Sequence, residues 1–357
     1  MPAVWIEDIL GAGFESTALE VPAGDGATRR ATLVRHLPQA GGAERAGHVV
    51  LYLHGWSDYF FNTELADFWH RLGVAFYALD VHNHGRNLRI GEPDQGDAVP
   101  GDSAGADPES RTVGGGDLAG YASDLADYDD EIATAVAAVR EDAAARLGLD
   151  EADIDLTLMG HSTGGLVAAL WTNRNPGAVK ALVLNSPWLE VHRSSLVRRA
   201  AAKVLDPLSR LKPEAEIRLP ARGFYWRTIS STEEGEWDLD PDLRPPFAFP
   251  VRAGWLSAVW QGQSEVDKGL SITAPVLVLT SARSVYGPLW HEDMKAADAV
   301  LDVETMAASA VKLGSTVTVE RIEAALHDIF LSRPEVRADA YARLERWAKA
   351  YILSGRD

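Results

Sequence analysis

The fold of this chain is constrained most by five short apolar runs that are continuous rather than alternating. They lie at residues 48–55, 74–80, 154–160, 180–186 and 274–280. Continuous apolar runs of this length are typical of parallel strands that are covered on both faces. Helical patterns at 64–72, 118–147 and 165–173 separate the first four runs. This alternation predicts an α/β fold with a mostly parallel central sheet flanked by helices.

The two ends of the chain extend this pattern. Residues 14–21 and 28–37 predict an antiparallel pair at one edge of the sheet, and residues 315–323 predict the last strand. Residues 334–352 predict a closing helix, because Pro334 stands in the first turn, where a helix tolerates proline.

Two stretches interrupt the alternation of strands and helices. Residues 91–116 are acidic and rich in Gly, Asp and Pro without an apolar period, which predicts a long loop. Residues 187–273 hold five of the 11 tryptophans and predict a cap that is inserted into the core domain. The core domain would then consist of residues 1–186 and 274–357.

Composition and charge limit the class of protein and its partners. The net charge is -18, so binding to a phosphate backbone is disfavoured and no nucleic-acid partner is expected. No apolar stretch approaches the ~20 residues of a membrane helix, and the first residues lack a basic region, so we expect a cytoplasmic protein. Without cysteine, the chain cannot use disulfides, a thiol nucleophile or thiolate metal ligands.

The segment from Gly160 to Gly164, GHSTG, matches the G-x-S-x-G pattern of a nucleophilic serine. It stands where a predicted strand ends and a predicted helix begins. A tight turn there exposes the hydroxyl of Ser162 above the sheet, and small flanking residues let the turn approach its neighbours. The helix N-terminus also favours negative charge that develops during attack. Ser162 is the predicted nucleophile, and a glycine-rich bend without a catalytic role is the alternative.

Four segments together resemble the α/β-hydrolase superfamily, and within it the group of monoacylglycerol lipases, lysophospholipases and serine aminopeptidases. They are the oxyanion loop YLHGWSDYFFN (52–62), the D-x-x-G-H-G-x-S segment ALDVHNHGRN (78–87), the nucleophile turn LMGHSTGG (158–165) and the histidine loop IEAALHDIFLS (322–332). Asn83 and Asn87 replace the usual glycine and serine of the second segment. The resemblance implies a catalytic triad in the chain order Ser, Asp, His.

The predicted general base is His327, which follows the last predicted strand. A serine hydroxyl needs such a base near neutral pH. The other candidates, His54, His82, His84 and His161, are expected to form hydrogen bonds with the backbone and to shape the pocket instead.

The predicted acid of the triad is Asp298, in a DAVLD run that resembles the D-x-V-V run of the family. The chain departs from the family spacing here, because residues 281–306 extend the segment after the fifth apolar run. Asp302, Glu292 and Asp293 are the alternative acids, and Asp298 could also be a surface helix residue. A buried carboxylate would hold the imidazole tautomer and stabilise the imidazolium.

The predicted oxyanion hole consists of the backbone N–H groups of Thr163 and Trp56. Further residues of the two loops and aromatic residues of the cap are expected to contact substrate. These predicted substrate-binding residues are His54, Gly55, His161, Trp188 and Trp226.

The leading functional hypothesis is hydrolysis of small-molecule carboxylic esters with apolar acyl chains, such as monoacylglycerols or lysophospholipids. The mechanism requires no metal and no organic cofactor, and no metal site is predicted. An amidase or aminopeptidase is the alternative, with cap acids such as Glu233, Glu234 and Glu236 as candidates to hold a free amine. A non-catalytic binding protein is the third hypothesis.

The cap also allows a transient contact with a lipid surface. Residues 196–211 combine apolar positions at helical spacing with Arg198, Arg199, Lys203 and Arg210. An ordinary amphipathic helix has the same pattern. The sequence leaves the oligomeric state open.

Overall fold

The central feature of the fold is a mixed sheet. The computed structural model describes residues 3–22, 26, 28–37, 47–88, 118–190, 205, 207–217 and 222–354. Within these ranges nine strands form one sheet in the order β1-β2-β3-β5-β4-β6-β7-β8-β9. The strands are β1 (Ile6–Glu7), β2 (Phe14–Pro22), β3 (Thr28–His36), β4 (His48–Leu53), β5 (Ala75–Asp80), β6 (Asp155–His161), β7 (Ala181–Asn185), β8 (Val276–Ser281) and β9 (Val317–Ile322).

The direction of pairing divides the sheet into two parts. The strands from β4 to β9 pair in parallel, whereas β1, β2 and β3 pair antiparallel with their neighbours and join the sheet through β5. This confirms the predicted mostly parallel α/β fold. The predicted antiparallel pair, β2 and β3, is present, but the short strand β1 lies outside it and forms the edge.

Helices flank the sheet and connect its parallel strands. The described helices are α1 (Thr63–Arg71), α2 (Asp129–Leu147), α3 (Ser162–Arg174), α4 (Phe224–Ile229), α5 (Ala253–Lys268), α6 (Val303–Ala310) and α7 (Pro334–Tyr351). Each short connection from a strand into a helix brings the strand's carboxyl end to the same edge of the sheet. That edge is where an open parallel sheet presents its functional side chains.

Strand β4 shows why the apolar runs are continuous. Its six residues are all buried, because Val49 and Leu51 face one hydrophobic core and Val50 and Tyr52 face another. The first core includes side chains of α2, α3 and α5, and the second includes side chains of α1 and α7. A strand that is covered on both faces buries every residue, so the apolar pattern does not alternate.

The predicted helix at 118–147 is wrong over its first part. The α-helix α2 begins at Asp129, and a 3-10 turn, Leu125–Tyr128, precedes it. The Asp124 side chain accepts a hydrogen bond from the N–H of Ala126 and caps that turn. Short acidic side chains favour caps over helix interiors because they compete for backbone N–H groups. The apolar pattern in the sequence continues on both sides of Asp124, so it does not show where the helix begins.

The segment between β7 and β8, residues 186–275, is called the β7–β8 insert below. Its described part contains α4 and α5. Most of the predicted lipid-binding helix at 196–211 and all of the predicted loop at 91–116 lie outside the described residues. In the part of the chain that the structure describes, no helix is both long enough and apolar enough to cross a bilayer.

Candidate active site

The serine turn lies at the junction of β6 and α3. His161 is the last residue of β6, and Ser162 is the first residue of α3. Ser162 has φ 52°, a left-handed conformation that is strained for a residue with a Cβ atom. The turn is tight on both sides: a Cβ atom on Gly160 would lie 2.5 Å from the carbonyl oxygen of Gly164, and one on Gly164 would lie 2.1 Å from that of His54. Glycine is therefore required at both positions.

Three predicted residues form a continuous hydrogen-bonded chain at this turn. The Nε2 atom of His327 lies 3.0 Å from the Oγ atom of Ser162, and its Nδ1 atom lies 2.9 Å from the Oδ2 atom of Asp298. Both His327 and Asp298 are buried. Such an arrangement can transfer the hydroxyl proton to the imidazole while the carboxylate stabilises the imidazolium.

Asp298 reaches His327 because the chain returns to its starting point after a long excursion. The N–H of Asp298 donates to the carbonyl of Arg283 at 3.0 Å, and the N–H of Val285 donates to the carbonyl of Asp298 at 2.9 Å. The additional residues between 285 and 298 therefore form an outward loop whose two ends meet just after β8. The unusual spacing lengthens this loop, while Asp298 stays paired with the residues that directly follow β8.

The second oxygen of Asp298 holds the following turn. Its Oδ1 atom accepts hydrogen bonds from the N–H groups of Val300 at 2.8 Å and Leu301 at 2.7 Å. The carboxylate is thus fixed by two backbone donors on one oxygen and by the imidazole on the other.

The alternative acids occupy other environments. Asp302 caps α6, because its Oδ1 atom accepts hydrogen bonds from the N–H groups of Glu304 and Thr305 at 3.0 Å. Glu292 and Asp293 lie at exposed positions in a 3-10 turn, Glu292–Ala296. Of the four carboxylates considered from the sequence, Asp298 is the one in contact with the imidazole.

Three of the remaining histidines bond to backbone groups. The Nδ1 atom of His54 lies 2.7 Å from the carbonyl oxygen of Gly55. The Nδ1 atom of His161 lies 3.1 Å from the carbonyl oxygen of Asn185, and that of His84 lies 2.9 Å from the carbonyl oxygen of His82. Burial lowers the pKa of His161 to about 4 and lowers the pKa of His84 well below its ordinary value. Both imidazoles are therefore neutral near pH 7, in keeping with a structural role.

His82 differs from the expectation of a backbone partner. Its Nδ1 atom contacts the buried carboxylate of Glu131, which also accepts a hydrogen bond from the N–H of His82 at 2.8 Å. This pair ties the loop after β5 to α2. No sequence pattern predicts this pair, since the two residues lie in different segments.

The loop after β5 also explains the two departures from the family motif. Asn83 has φ 58°, a left-handed conformation that asparagine tolerates better than other residues with a Cβ atom, so it substitutes for glycine. The Nδ2 atom of Asn87 donates to the carbonyls of Asp80 at 2.7 Å and Val81 at 3.0 Å. Its side chain therefore closes the loop from the position where the family has serine.

The predicted oxyanion loop passes directly beside Ser162. A Cβ atom on Gly55 would lie 3.3 Å from the Cβ atom of Ser162. The indole N–H of Trp56 donates to the carbonyl of Gly120 at 2.9 Å, and its ring stacks on that of Trp255 at a centroid distance of 4.4 Å. Trp56 and Thr163 both line the cavity that contains Ser162.

This cavity has a volume of about 380 Å³ and a mostly apolar wall that includes seven aromatic residues. The aromatic residues of the wall are Trp56, Trp188, Phe224, Tyr225, Trp226, Phe247 and Trp255. Ser162 and His327 line it too, so the hydrogen-bonded chain is accessible from the cavity. Of the predicted substrate-binding residues, Gly55, His161, Trp188 and Trp226 are in the lining. His54 is not among the described lining residues of this cavity, and its Nε2 atom accepts a hydrogen bond from the N–H of Val81 at 3.3 Å.

An ion pair in the cavity wall is absent from the sequence predictions. The guanidinium Nη1 of Arg244 lies 2.8 Å from the Oδ1 atom of Asp58, and both residues are buried and line the cavity. Burial raises the pKa of Asp58 to about 6. The guanidinium also lies 5.2 Å from the ring centre of Tyr225, whose ring packs edge-on against His327. Asp58 follows the HGWS segment directly, which is the one sequence signal for it.

Across the ranges that the structure describes, no three His, Asp or Glu side chains are grouped so that they could hold a metal ion.

A mostly parallel sheet with a strained serine at a strand–helix junction, a histidine after the last strand and an acid after β8 defines the α/β-hydrolase class. The chain belongs to the S33 serine aminopeptidase family, whose model matches residues 44–333. This confirms the resemblance seen in the sequence, and it makes the protein an enzyme of the hydrolase class.

Solved structures with the same fold include lipases and esterases. A soluble variant of monoglyceride lipase from Saccharomyces cerevisiae, in complex with a substrate analogue, has 13% identity and a TM-score of 0.60, covering 98% of this chain and 95% of its own. A monoacylglycerol lipase of Paleococcus ferrophilus has 17% identity and a TM-score of 0.53, covering 87% and 96%. A thermostable carboxyl esterase of Bacillus coagulans has 14% identity and a TM-score of 0.57, covering 94% and 99%. No curated protein sequence matches the chain significantly.

Proposed function

We propose that this protein hydrolyses carboxylic esters with apolar acyl chains, with Ser162 as nucleophile, His327 as general base and Asp298 as the orienting acid. The observation that carries the proposal is the chain of hydrogen bonds from Ser162 through His327 to Asp298, open to an aromatic cavity. Asp298 is buried and two backbone N–H groups fix its carboxylate, which supports its role as the orienting acid.

The reaction would proceed through an acyl-enzyme. Ser162 attacks the ester carbonyl while His327 takes its proton, and the oxyanion accepts hydrogen bonds from the backbone N–H groups of Thr163 and Trp56. The imidazolium then protonates the leaving alcohol, and water repeats the cycle. No step requires a metal or an organic cofactor.

The cavity supports an apolar acyl group as the substrate class. Its volume of about 380 Å³ falls at the lower end of the range of ~300–1,000 Å³ for small-molecule sites, which suits a chain of medium length. The Asp58–Arg244 pair supplies a polar part of the wall, so an amphipathic ester such as a monoacylglycerol or a lysophospholipid can place its polar group there. The names of the structurally similar lipases and esterase agree with an ester substrate.

The test is a set of initial rates on p-nitrophenyl esters from acetyl to palmitoyl, measured beside aminoacyl p-nitroanilides. We expect a maximum at medium acyl chains and loss of nearly all turnover in Ser162→Ala and in His327→Ala. A folded Ser162→Ala variant with wild-type rates would overturn the proposal. Labelling of Ser162 by an organophosphonate separates an enzyme with an untested substrate from a non-catalytic binding protein.

Amide hydrolysis is the second candidate, because the matching family is described as serine aminopeptidase. The cap acids suggested by the sequence do not support it. Glu234 pairs with Arg227 and Lys295, Glu236 pairs with Arg337, and Glu233 is exposed. Asp58 is the carboxylate in the cavity wall, and its partner is already a cation. A preference for the anilides that Asp58→Asn abolishes would favour an aminopeptidase.

A further inference from the structure

The predicted oxyanion loop is held by a second segment that belongs to the β7–β8 insert. This segment, residues 240–249, is called the clasp segment, and it contacts four consecutive residues of the loop, 56–59. The N–H of Asp240 donates to the hydroxyl of Tyr59 at 3.1 Å, and the N–H of Phe249 donates to the Oγ atom of Ser57 at 3.1 Å. Between these two contacts lies the Asp58–Arg244 ion pair.

The order of these contacts shows that the two segments run past each other in opposite directions. As residue numbers in the clasp segment increase from 240 to 249, the numbers of their partners in the loop decrease from 59 to 56. At the end of this series the ring of Phe249 packs edge-on against the ring of Trp56, with 6.1 Å between the ring centroids. Each loop residue therefore contacts the clasp segment, and Phe249 serves as partner to both Ser57 and Trp56.

Both segments contain backbone that would not keep its shape unaided. Ser57 has φ 56° and Ala248 has φ 60°, and residues with a Cβ atom keep such values only where their surroundings hold them. Pro245 and Pro246 follow Arg244 directly and restrict the clasp segment further. The contacts thus join the clasp segment, which its prolines restrict, to a loop with a strained backbone.

Stability alone does not explain a charged pair at the centre of this contact. Burial of two charges is costly, and well-packed apolar side chains often replace such a pair without loss of stability. The ion pair instead contributes a defined geometry, because a guanidinium fixes the position of a carboxylate through oriented N–H donors. An oxyanion hole is effective because its donors are fixed before the charge develops.

We propose that Arg244 is a positioning residue for the oxyanion hole. Through its ion pair with Asp58 it holds the β7–β8 insert against residues 56–59 and thereby fixes the direction of the backbone N–H of Trp56. This inference rests on the proposed function, because it requires Trp56 to be an oxyanion donor. Arg244 acts through the loop and does not itself touch the reacting atoms.

Arg244→Gln tests the proposal with p-nitrophenyl butyrate as substrate. We expect kcat to fall about tenfold to a hundredfold, because a small displacement of a fixed donor has effects of that size. KM for this substrate should stay within about twofold, because p-nitrophenyl butyrate lacks the polar group that we place against the Asp58–Arg244 pair and the oxyanion contact is made in the transition state. Arg244→Lys should restore part of kcat, because it keeps the charge but not the geometry.

A thionoester of the same acyl chain provides a readout that is specific for the oxyanion. Sulfur accepts hydrogen bonds more weakly than oxygen, so a well-placed oxyanion hole favours the oxygen ester. The ratio of kcat for the ester to kcat for the thionoester should therefore fall in Arg244→Gln.

The matched control is Arg337→Gln. Arg337 also joins the β7–β8 insert to the core, through Glu236 of the insert and Glu64 of α1, but it makes no contact with residues 56–59 among its described partners. We expect its kcat and its ester-to-thionoester ratio to match those of the wild type. An equal loss in Arg337→Gln would show that attachment of the insert in general is what matters, and it would overturn the proposal.

Further outcomes decide the matter. A folded Arg244→Gln variant with wild-type kcat, or with raised KM at unchanged kcat, would refute the positioning role. If Arg244→Gln does not fold, the double variant Asp58→Leu/Arg244→Met removes both charges from the same contact, and wild-type kcat in a folded double variant would equally refute it. Ser162→Ala distinguishes failure of the two proposals. Wild-type turnover in Ser162→Ala would refute the proposed function. Loss of turnover in Ser162→Ala together with wild-type kcat in the Arg244 variants would refute the positioning role alone.

Discussion

Ser162 adopts a backbone conformation that glycine tolerates better than any residue with a side chain. Its φ of 52° points the hydroxyl toward His327, and the surrounding glycines let the turn pack against the carbonyl oxygens of His54 and Gly164. The strain is therefore local, and it can be separated from catalysis by substitution.

Comparison of Ser162→Gly with Ser162→Ala measures that strain. Both variants should lack turnover, but the glycine variant should be more stable by about 1 kcal/mol, because the left-handed conformation penalises a Cβ atom. Urea unfolding of the two proteins measures the difference. Equal or reversed stabilities would mean that the turn is relaxed at Ser162.

The raised pKa of Asp58 predicts that the stability of the folded protein depends on pH. Burial raises its pKa to about 6 in the folded protein, and the groups that face it are Arg244 and His54, which lower that pKa, and Asp328, which raises it. The unfolded chain has a pKa of about 3.9 for this group. Between roughly pH 4 and pH 6 the folded state alone keeps the proton, so the free energy of unfolding falls as the pH rises.

Asp58→Asn removes this contribution. The free energy of unfolding of the wild type minus that of the variant should decrease by up to about 3 kcal/mol from pH 4 to pH 7, on top of a constant offset from the altered ion pair. Denaturant unfolding at several pH values gives the difference. Parallel stability curves for the two proteins would contradict the raised pKa.

At the scale of elements, the connection from β8 to α6 carries two carboxylates with different tasks. Asp298 contacts His327, and Asp302 caps α6. The two residues are close in sequence and were both candidates for the triad, so they form a natural pair for comparison.

Asp298→Asn should lower kcat by ~10³–10⁴, because an amide does not stabilise the imidazolium and favours the wrong tautomer. Its Oδ1 atom can still accept from Val300 and Leu301, so the stability should change little. Asp302→Ala should instead cost about 1 kcal/mol of stability through loss of the cap and leave kcat essentially unchanged. Steady-state rates and thermal unfolding of both variants test this, and the reverse pattern would assign the acid to Asp302.

At the scale of the whole molecule, the sequence allowed prediction of what depends on local pattern. The strands could be found because burial on both faces leaves continuous apolar runs, as in β4. Ser162 and His327 could be proposed as a pair because nucleophile and base occur at fixed places in the chain order of this fold, and the structure places the two side chains within hydrogen-bond distance. The start of α2 was misplaced because a capping side chain at Asp124 interrupts an apolar period that continues on both sides.

Features that join distant segments could not be predicted in this way. Asp58 and Arg244 are 186 residues apart, and no periodicity or motif links them. The pairing of His82 with Glu131 is similar, since each residue has an ordinary local context. Such contacts depend on how the β7–β8 insert and α2 meet the loops, which only the folded chain determines.

The double attachment of Asp298 has a consequence for how the enzyme can evolve. One carboxylate holds His327 with one oxygen and the turn of Val300 and Leu301 with the other, and these two side chains are part of the cavity wall. Enlarging the cavity on this side would disturb the alignment of the imidazole, so selection for bulkier substrates meets a trade-off there. Phe224 of the insert lines the same cavity and has no described contact with Asp298 or His327. Laboratory selection should therefore accumulate its accepted substitutions around Phe224 and leave the turn after Asp298 unchanged.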